Sequence, residues 1–197
     1  NGKIYNSMVL IDKDLNILSS YKKNKLVPFG EFIPFENFLS QVGLKKITKG
    51  YQSFSFDNKR ELIKYGDINF LPLICYEIIY SGNLKKKNKK FNFILNISED
   101  GWFGESIGIH QHLSHSIFRS LEEGKFLIRA ANNGISAYIS PKGEILKKIE
   151  STSRGVISVE NFKETNETLF NKHGNNLFLY FLLIYISLFF FLKKMES

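Results

Sequence analysis

Apolar and polar positions sort into short runs over most of this chain and into one long run near its end. Ser7-Met8-Val9-Leu10-Ile11 and Ile17-Leu18-Ser19-Ser20-Tyr21 flank Asp12-Lys13-Asp14-Leu15-Asn16, which predicts two strands joined by a polar turn. From Tyr21 to Phe35 two prolines and a glycine sit among aromatics, so this stretch predicts an ordered loop rather than a long helix or a central strand. Leu39 to Ser55 is mixed in character and broken at Gly50. Ile68 to Ile74 predicts a buried strand in which Pro72, lacking a ladder donor, argues for an edge, a bulge or a shortened element. Phe91 to Ser98 predicts a second buried strand, opening into the loop Glu99-Asp100-Gly101-Trp102-Phe103-Gly104. Leu113, Ile117, Leu121 and Ile128, with Gly124 between them, predict one face of a helix from Gln111 to Asn132, ended by Asn132-Asn133-Gly134. A hairpin follows, Ile135 to Ile139 and Glu144 to Ile149 across Ser140-Pro141-Lys142-Gly143, and Gly155 to Val159 predicts one more strand.

Leu177 to Leu192 is apolar or aromatic throughout apart from Ser187, and as a helix it is on the order of 24 Å long. That is short of the roughly 30 Å hydrocarbon core, a gap that flanking residues and local thinning can close. It has no polar face, which favours a membrane span over a buried core helix. Lys193-Lys194 after it predicts a cytoplasmic C-terminus and a globular part on the opposite side of the membrane. The division expected is a catalytic domain over residues 1–170, then a transmembrane helix and short cytoplasmic tail over 171–197.

The composition, 43% hydrophobic and 15% aromatic in 197 residues, supports one well-sized core and excludes a disordered chain. A net charge of +8 suggests an anionic partner: nucleic acid, a phospholipid surface or an acidic substrate. The lysines cluster in loops without a recognisable recognition element, which sets nucleic acid aside. The run Lys85-Lys86-Lys87-Asn88-Lys89-Lys90 reads first as a solvated loop and second as an attraction for anionic lipid heads.

Cys75 is the only cysteine, so no internal disulfide is available and its thiol is the point of interest. A buried inert thiol is the plain reading; a strand running into a sharp turn, with Glu77 two residues on, is the setting of a presented nucleophile. His110, His112 and His115 are spaced by two and three rather than as the i, i+4 pair of a helical zinc motif, so no metal is expected.

Three blocks resemble the nitrilase (carbon-nitrogen hydrolase) superfamily, and within it the membrane branch that acylates lipoproteins. They are Tyr21-x-Lys23-x-x-Leu26-Val27-Pro28-Phe29-Gly30-Glu31-Phe32-Ile33-Pro34, Ile74-Cys75-Tyr76-Glu77-Ile78 and Asp100-Gly101-Trp102-Phe103-Gly104. Gln111-His112, Arg119, Glu122 and Arg129-x-x-Asn132-Asn133-Gly134-Ile135-Ser136 continue the match in the same order. The resemblance implies an αββα sandwich, incomplete at its N-terminus, and a Glu-Lys-Cys triad whose lysine falls on Lys23 and whose nucleophile falls on Cys75. It implies supporting roles for Glu31, Tyr76 and Glu77, a substrate-binding role for Trp102, and no cofactor. The implied partners are a phospholipid acyl donor and a diacylglyceryl-cysteine lipoprotein acceptor, met at the bacterial inner membrane with the catalytic domain on the periplasmic side.

The chain departs from the family pattern where the triad glutamate belongs. Asn1 to Gly30 contain no glutamate, only Asp12 and Asp14 in the turn, so the resemblance implies a C-terminal portion of a longer protein, inactive by itself. Glu99 stands where the family commonly has Asn, Lys125-Phe126 where Arg-Pro is usual, and Pro72 before the nucleophile. Two other functions remain open on sequence: a nitrilase-type amidase with water as second nucleophile, and a membrane-anchored binding module without catalysis.

Overall fold

The computed structural model describes residues 2–35, 38, 43, 53–82, 84, 90–159 and 165–195. Strands β1 (Ser7–Ile11) and β2 (Ile17–Lys22) form the expected antiparallel hairpin. A six-stranded mixed sheet follows in the order β3-β4-β5-β6-β7-β8: β3 (Ile63–Tyr65), β4 (Ile68–Ile74), β5 (Phe93–Glu99), β6 (Phe126–Asn132), β7 (Ser136–Ile139) and β8 (Ile145–Ile149). The central pairs β4-β5 and β5-β6 are parallel and the outer pairs antiparallel. Helix α1 (Gly108–Glu123) is the crossover between β5 and β6. Short α2 (Leu169–His173) leads into α3 (Asn176–Met195).

Strand alternation divides the core into two layers. Leu71, Leu73, Ile94 and Leu127 join Ile109 and Leu113 of α1 on one face; Phe70, Ile74 and Phe93 join Met8 and Tyr21 of the hairpin on the other. The mixed sheet with a helix on one face and strands on the other is the expected nitrilase-like arrangement.

Pro72 lies in a full seven-residue strand, neither shortened nor bulged. β3 pairs only with residues 68–70 of β4, so Pro72 sits where β4 has β5 alone beside it, and its missing donor faces a local edge.

Two expectations are corrected, and two stretches fall largely outside the described residues. The helix beginning near Gln111 stops at Glu123, not Asn132, because Gly124 takes the left-handed conformation (φ 62°) and ends it. Phe126–Asn132 is a strand with neighbours on both sides; the apolar spacing that included Ile128 was a strand's, read at a helix's period. Gly155 to Val159 forms no strand. Leu39–Ser55, apart from Gly43 and 53–55, and Lys85–Lys89 of the lysine run lie outside the described residues.

Candidate active site

The carboxyl ends of the parallel strands converge, as is usual for sites on such sheets. β4 passes into a 3-10 turn at Cys75–Ile79. Cys75 takes φ +51°, a left-handed conformation in which a non-glycine residue is strained, so the chain turns sharply and the partly exposed thiol stands at the tip. Its Sγ lies 3.9 Å from the Glu99 carbonyl at the end of β5.

Lys23 follows directly on β2. Its side chain is 1% exposed, and Nζ donates to both oxygens of Glu31 at 2.8 and 2.9 Å. Glu31 also accepts from Asn6 Nδ2 (2.9 Å) and the Val27 N–H (2.8 Å), so with the two bonds from Lys23 all four of its acceptor positions are occupied. Of the lysines clustered in sequence, Lys22 and Lys25 are exposed as a solvated face would be, and Lys23 alone is buried.

Glu77 is fully buried. It accepts from Tyr21 Oη (2.8 and 3.0 Å), from the N–H groups of Asn24 (2.9 Å), Lys25 (3.0 Å) and Ile74 (2.8 Å), and from Arg60 (3.4 Å). One carboxylate thus clamps the segment that carries Lys23 to the residue preceding Cys75. Burial, reinforced by the charge of Glu77, pushes the Tyr21 phenol well up, so it stays a donor. Glu77 is not among the residues that line the cavity shared by Lys23 and Cys75, and its bonds tie backbone segments together.

Lys23, Glu31, Cys75, Glu99 and Trp102 line one cavity of about 1310 Å³, whose remaining walls are largely apolar, among them Val27, Phe54, Ile97 and Ala130. Tyr76 is not among the lining residues; its ring packs edge-on against Tyr80.

Beneath the site, on the α1 face of the sheet, lies a buried polar network. Arg129 donates to Asp100 (2.5 Å), to Asn96 and to the Ile135 carbonyl (3.2 Å). Asn96 donates to the carbonyls of Leu73 (3.2 Å) and Cys75 (3.3 Å), and Asp100 also binds His112 Nδ1 (2.9 Å) and Ser98 (2.7 Å). Burial pushes the Asp100 carboxyl up, but the bonds from His112 and Ser98 and the charge of Arg129 outweigh it and hold it at about 2. The network ties the nucleophile turn to the Trp102 loop. Sequence reading missed the roles of Asn96, Asp100 and Arg129; the available signal was a polar residue inside each of two apolar runs, Ile94-Leu95-Asn96-Ile97 and Leu127-Ile128-Arg129-Ala130. Among the described residues no group of three His, Cys, Asp or Glu is arranged to hold a metal.

Residues 1–164 match the family described as carbon-nitrogen hydrolase. The chain belongs to the carbon-nitrogen hydrolase family. It is 40% identical over 156 residues to a Rhodopseudomonas palustris protein named apolipoprotein N-acyltransferase, covering 79% of this chain and 29% of that one. A Wigglesworthia glossinidia brevipalpis protein of the same name is 39% identical over 199 residues, covering 96% of this chain and 39% of that one. The chain therefore spans about a third of the length of the curated relatives it matches. Among solved structures its fold is similar to Saccharomyces cerevisiae Nit3 of the nitrilase superfamily (TM-score 0.55, 16% identity, 76% of this chain and 50% of that one). It is likewise similar to a carbon-nitrogen hydrolase from Helicobacter pylori (TM-score 0.54, 17% identity, 75% and 53%).

The carbon-nitrogen hydrolase unit is followed by α3, which is long and apolar enough to cross a membrane. At twenty residues the helix is about 30 Å long, the apolar run being extended at its ends by Asn176 and by Lys193-Lys194-Met195. None of its residues is buried against the rest of the chain.

Proposed function

We propose that this chain carries the nucleophile and lysine of an apolipoprotein N-acyltransferase. The observation that carries the reading is the shared cavity: the Cys75 thiol on a strained turn and the Glu31-held ammonium of Lys23 line one largely apolar space suited to an acyl chain. The sulfur attacks the ester carbonyl of a membrane phospholipid; the C–S bond forms, the ester C–O bond breaks, and lysophospholipid leaves as the alcohol. The free α-amine of a diacylglyceryl-cysteine lipoprotein then attacks the thioester, forming the amide C–N bond and returning the thiolate. Lys23 stabilises the oxyanion in each step. Trp102, 67% exposed on the cavity wall, contacts substrate.

Three carboxylates are engaged elsewhere and are not suited to take the thiol proton. Glu31 and Glu77 have their acceptor positions occupied, as above. Asp12 accepts from the N–H groups of Asp14 (2.9 Å) and Asn16 (2.8 Å) and from Asn16 Nδ2 (3.0 Å), and so organises the hairpin turn. We place residues 1–170 in the catalytic domain, outside the bacterial inner membrane, and 171–197 in the span and a cytoplasmic tail. The apolar helix and the relatives' names favour this reading over a soluble amidase.

The test is acyl-enzyme formation by the full-length membrane protein with labelled phospholipid. Cys75→Ala should abolish the labelled thioester and release of lysophospholipid. Acyl transfer by that variant at the parent rate would refute the mechanism.

A further inference from the structure

Counted over its described lining residues, the cavity is anionic in a protein that is strongly cationic: Lys23 carries +1 and Glu31 and Glu99 carry −1 each, which sums to −1, against +8 for the chain. Lys23 and Glu31 neutralise each other. Among the described residues Glu99 makes no ion pair, so the excess charge is its own.

Three neutral donors hold Glu99 in place: the Gly101 N–H (2.8 Å) and Asn133 Nδ2 (3.0 Å) on Oε1, and Asn132 Nδ2 (2.5 Å) on Oε2. A carboxylate has about four acceptor positions, so one remains, on Oε2. The carboxylate folds back over Gly101, where an added Cβ would lie 2.6 Å from Oε1. The bond from Asn133, opposed by slight burial and helped by Asn132 and Gly101, lowers its pKa and keeps it ionised. Trp102, three residues along the same loop, brings an exposed indole to the same cavity, and an indole can attract a cation over its face.

We propose that Glu99 and Trp102 form a recognition site for a primary ammonium group at the Cys75 cavity. This rests on the acyltransferase reading, under which two substrates can supply that chemistry: an ethanolamine-headed donor phospholipid, or the α-ammonium of the lipoprotein acceptor.

The experiment uses the full-length membrane protein in vesicles of phosphatidylethanolamine or phosphatidylglycerol with identical acyl chains, and a synthetic diacylglyceryl-cysteine peptide as acceptor. Thioester formation and amide formation are timed separately. If the headgroup is bound, the parent prefers ethanolamine-headed donors in thioester formation and Glu99→Gln reduces that preference about three- to fivefold, the size of a partly exposed ion pair. If the acceptor is bound, the loss falls on amide formation with either donor. Glu99→Asp should restore part of the loss, and Trp102→Leu should lower the same step as Glu99→Gln. Either pattern supports the site and identifies its ligand. Unchanged rates for Glu99→Gln in both steps with both donors would overturn it while leaving the acyltransferase intact. Failure of the parent to form any thioester would overturn both.

Discussion

At the scale of single residues, the candidate site is held together by two buried carboxylates. Glu77 joins the Lys23 segment to the nucleophile turn, and Asp100 joins Arg129 and His112 beneath it. The two act in opposite layers of one sheet. Asp100 gives a measurable consequence. Its folded pKa, about 2, lies below the ordinary 3.8, so its contribution is fully present above pH 4 and is lost as the pH falls from there toward 2. That contribution is about 2 kcal/mol. Thermal unfolding of the detergent-solubilised protein should show the parent's midpoint falling across this window. Asp100→Asn should lie below the parent at neutral pH, because Arg129 is left buried without its counter-charge, and should be flatter between pH 4 and 2. Equal slopes for the two proteins would show that Asp100 does not set the acid limb.

At the scale of elements, the end of α1 is where the terminal helix is joined to the core. Thr165 donates to the Gly124 carbonyl, Thr168 to the Glu122 carbonyl and Asn171 to the Glu123 carboxylate, while Asn175 reaches the Ser81 carbonyl at 3.3 Å. Thr168 also caps α2 by accepting from the Asn171 N–H. The chain entering α3 is therefore docked at four points rather than tethered. Gly124 is central to this joint: an added Cβ would lie 2.8 Å from Thr168 Cγ2 and 3.0 Å from the Asn166 carbonyl, in a left-handed conformation. Gly124→Ala should destabilise the protein by about 1–2 kcal/mol, read as a lower unfolding midpoint. The same glycine marks where sequence reading failed. A helical period was continued through it, and the interior strand beyond, with its buried Arg129, was taken into the helix.

At the scale of the whole molecule, a strongly basic chain combines a carbon-nitrogen hydrolase layer structure with an apolar helix whose last turn carries Lys193-Lys194. The proposed topology predicts that a fluorescent protein fused after Ser197 will fluoresce and that alkaline phosphatase fused there will be inactive; active phosphatase would invert the orientation. The two hairpins, the buried runs of β4 and β5 and the apolar end were legible because strand alternation, turn residues and a continuous apolar segment are local properties. The blocks around Lys23, Cys75 and Trp102 were also legible as sequence. Their mutual geometry was not, since a buried carboxylate at position 77 pairs with backbone more than fifty residues earlier, and Arg129 with Asp100 in the loop after a neighbouring strand. Sequence by itself determined the kind of element, the lone thiol and the membrane-length helix. Only the tertiary structure decided which lysine is buried, which glutamate is fully buried and which two line the cavity, because burial and pairing depend on strands that meet only in the folded sheet.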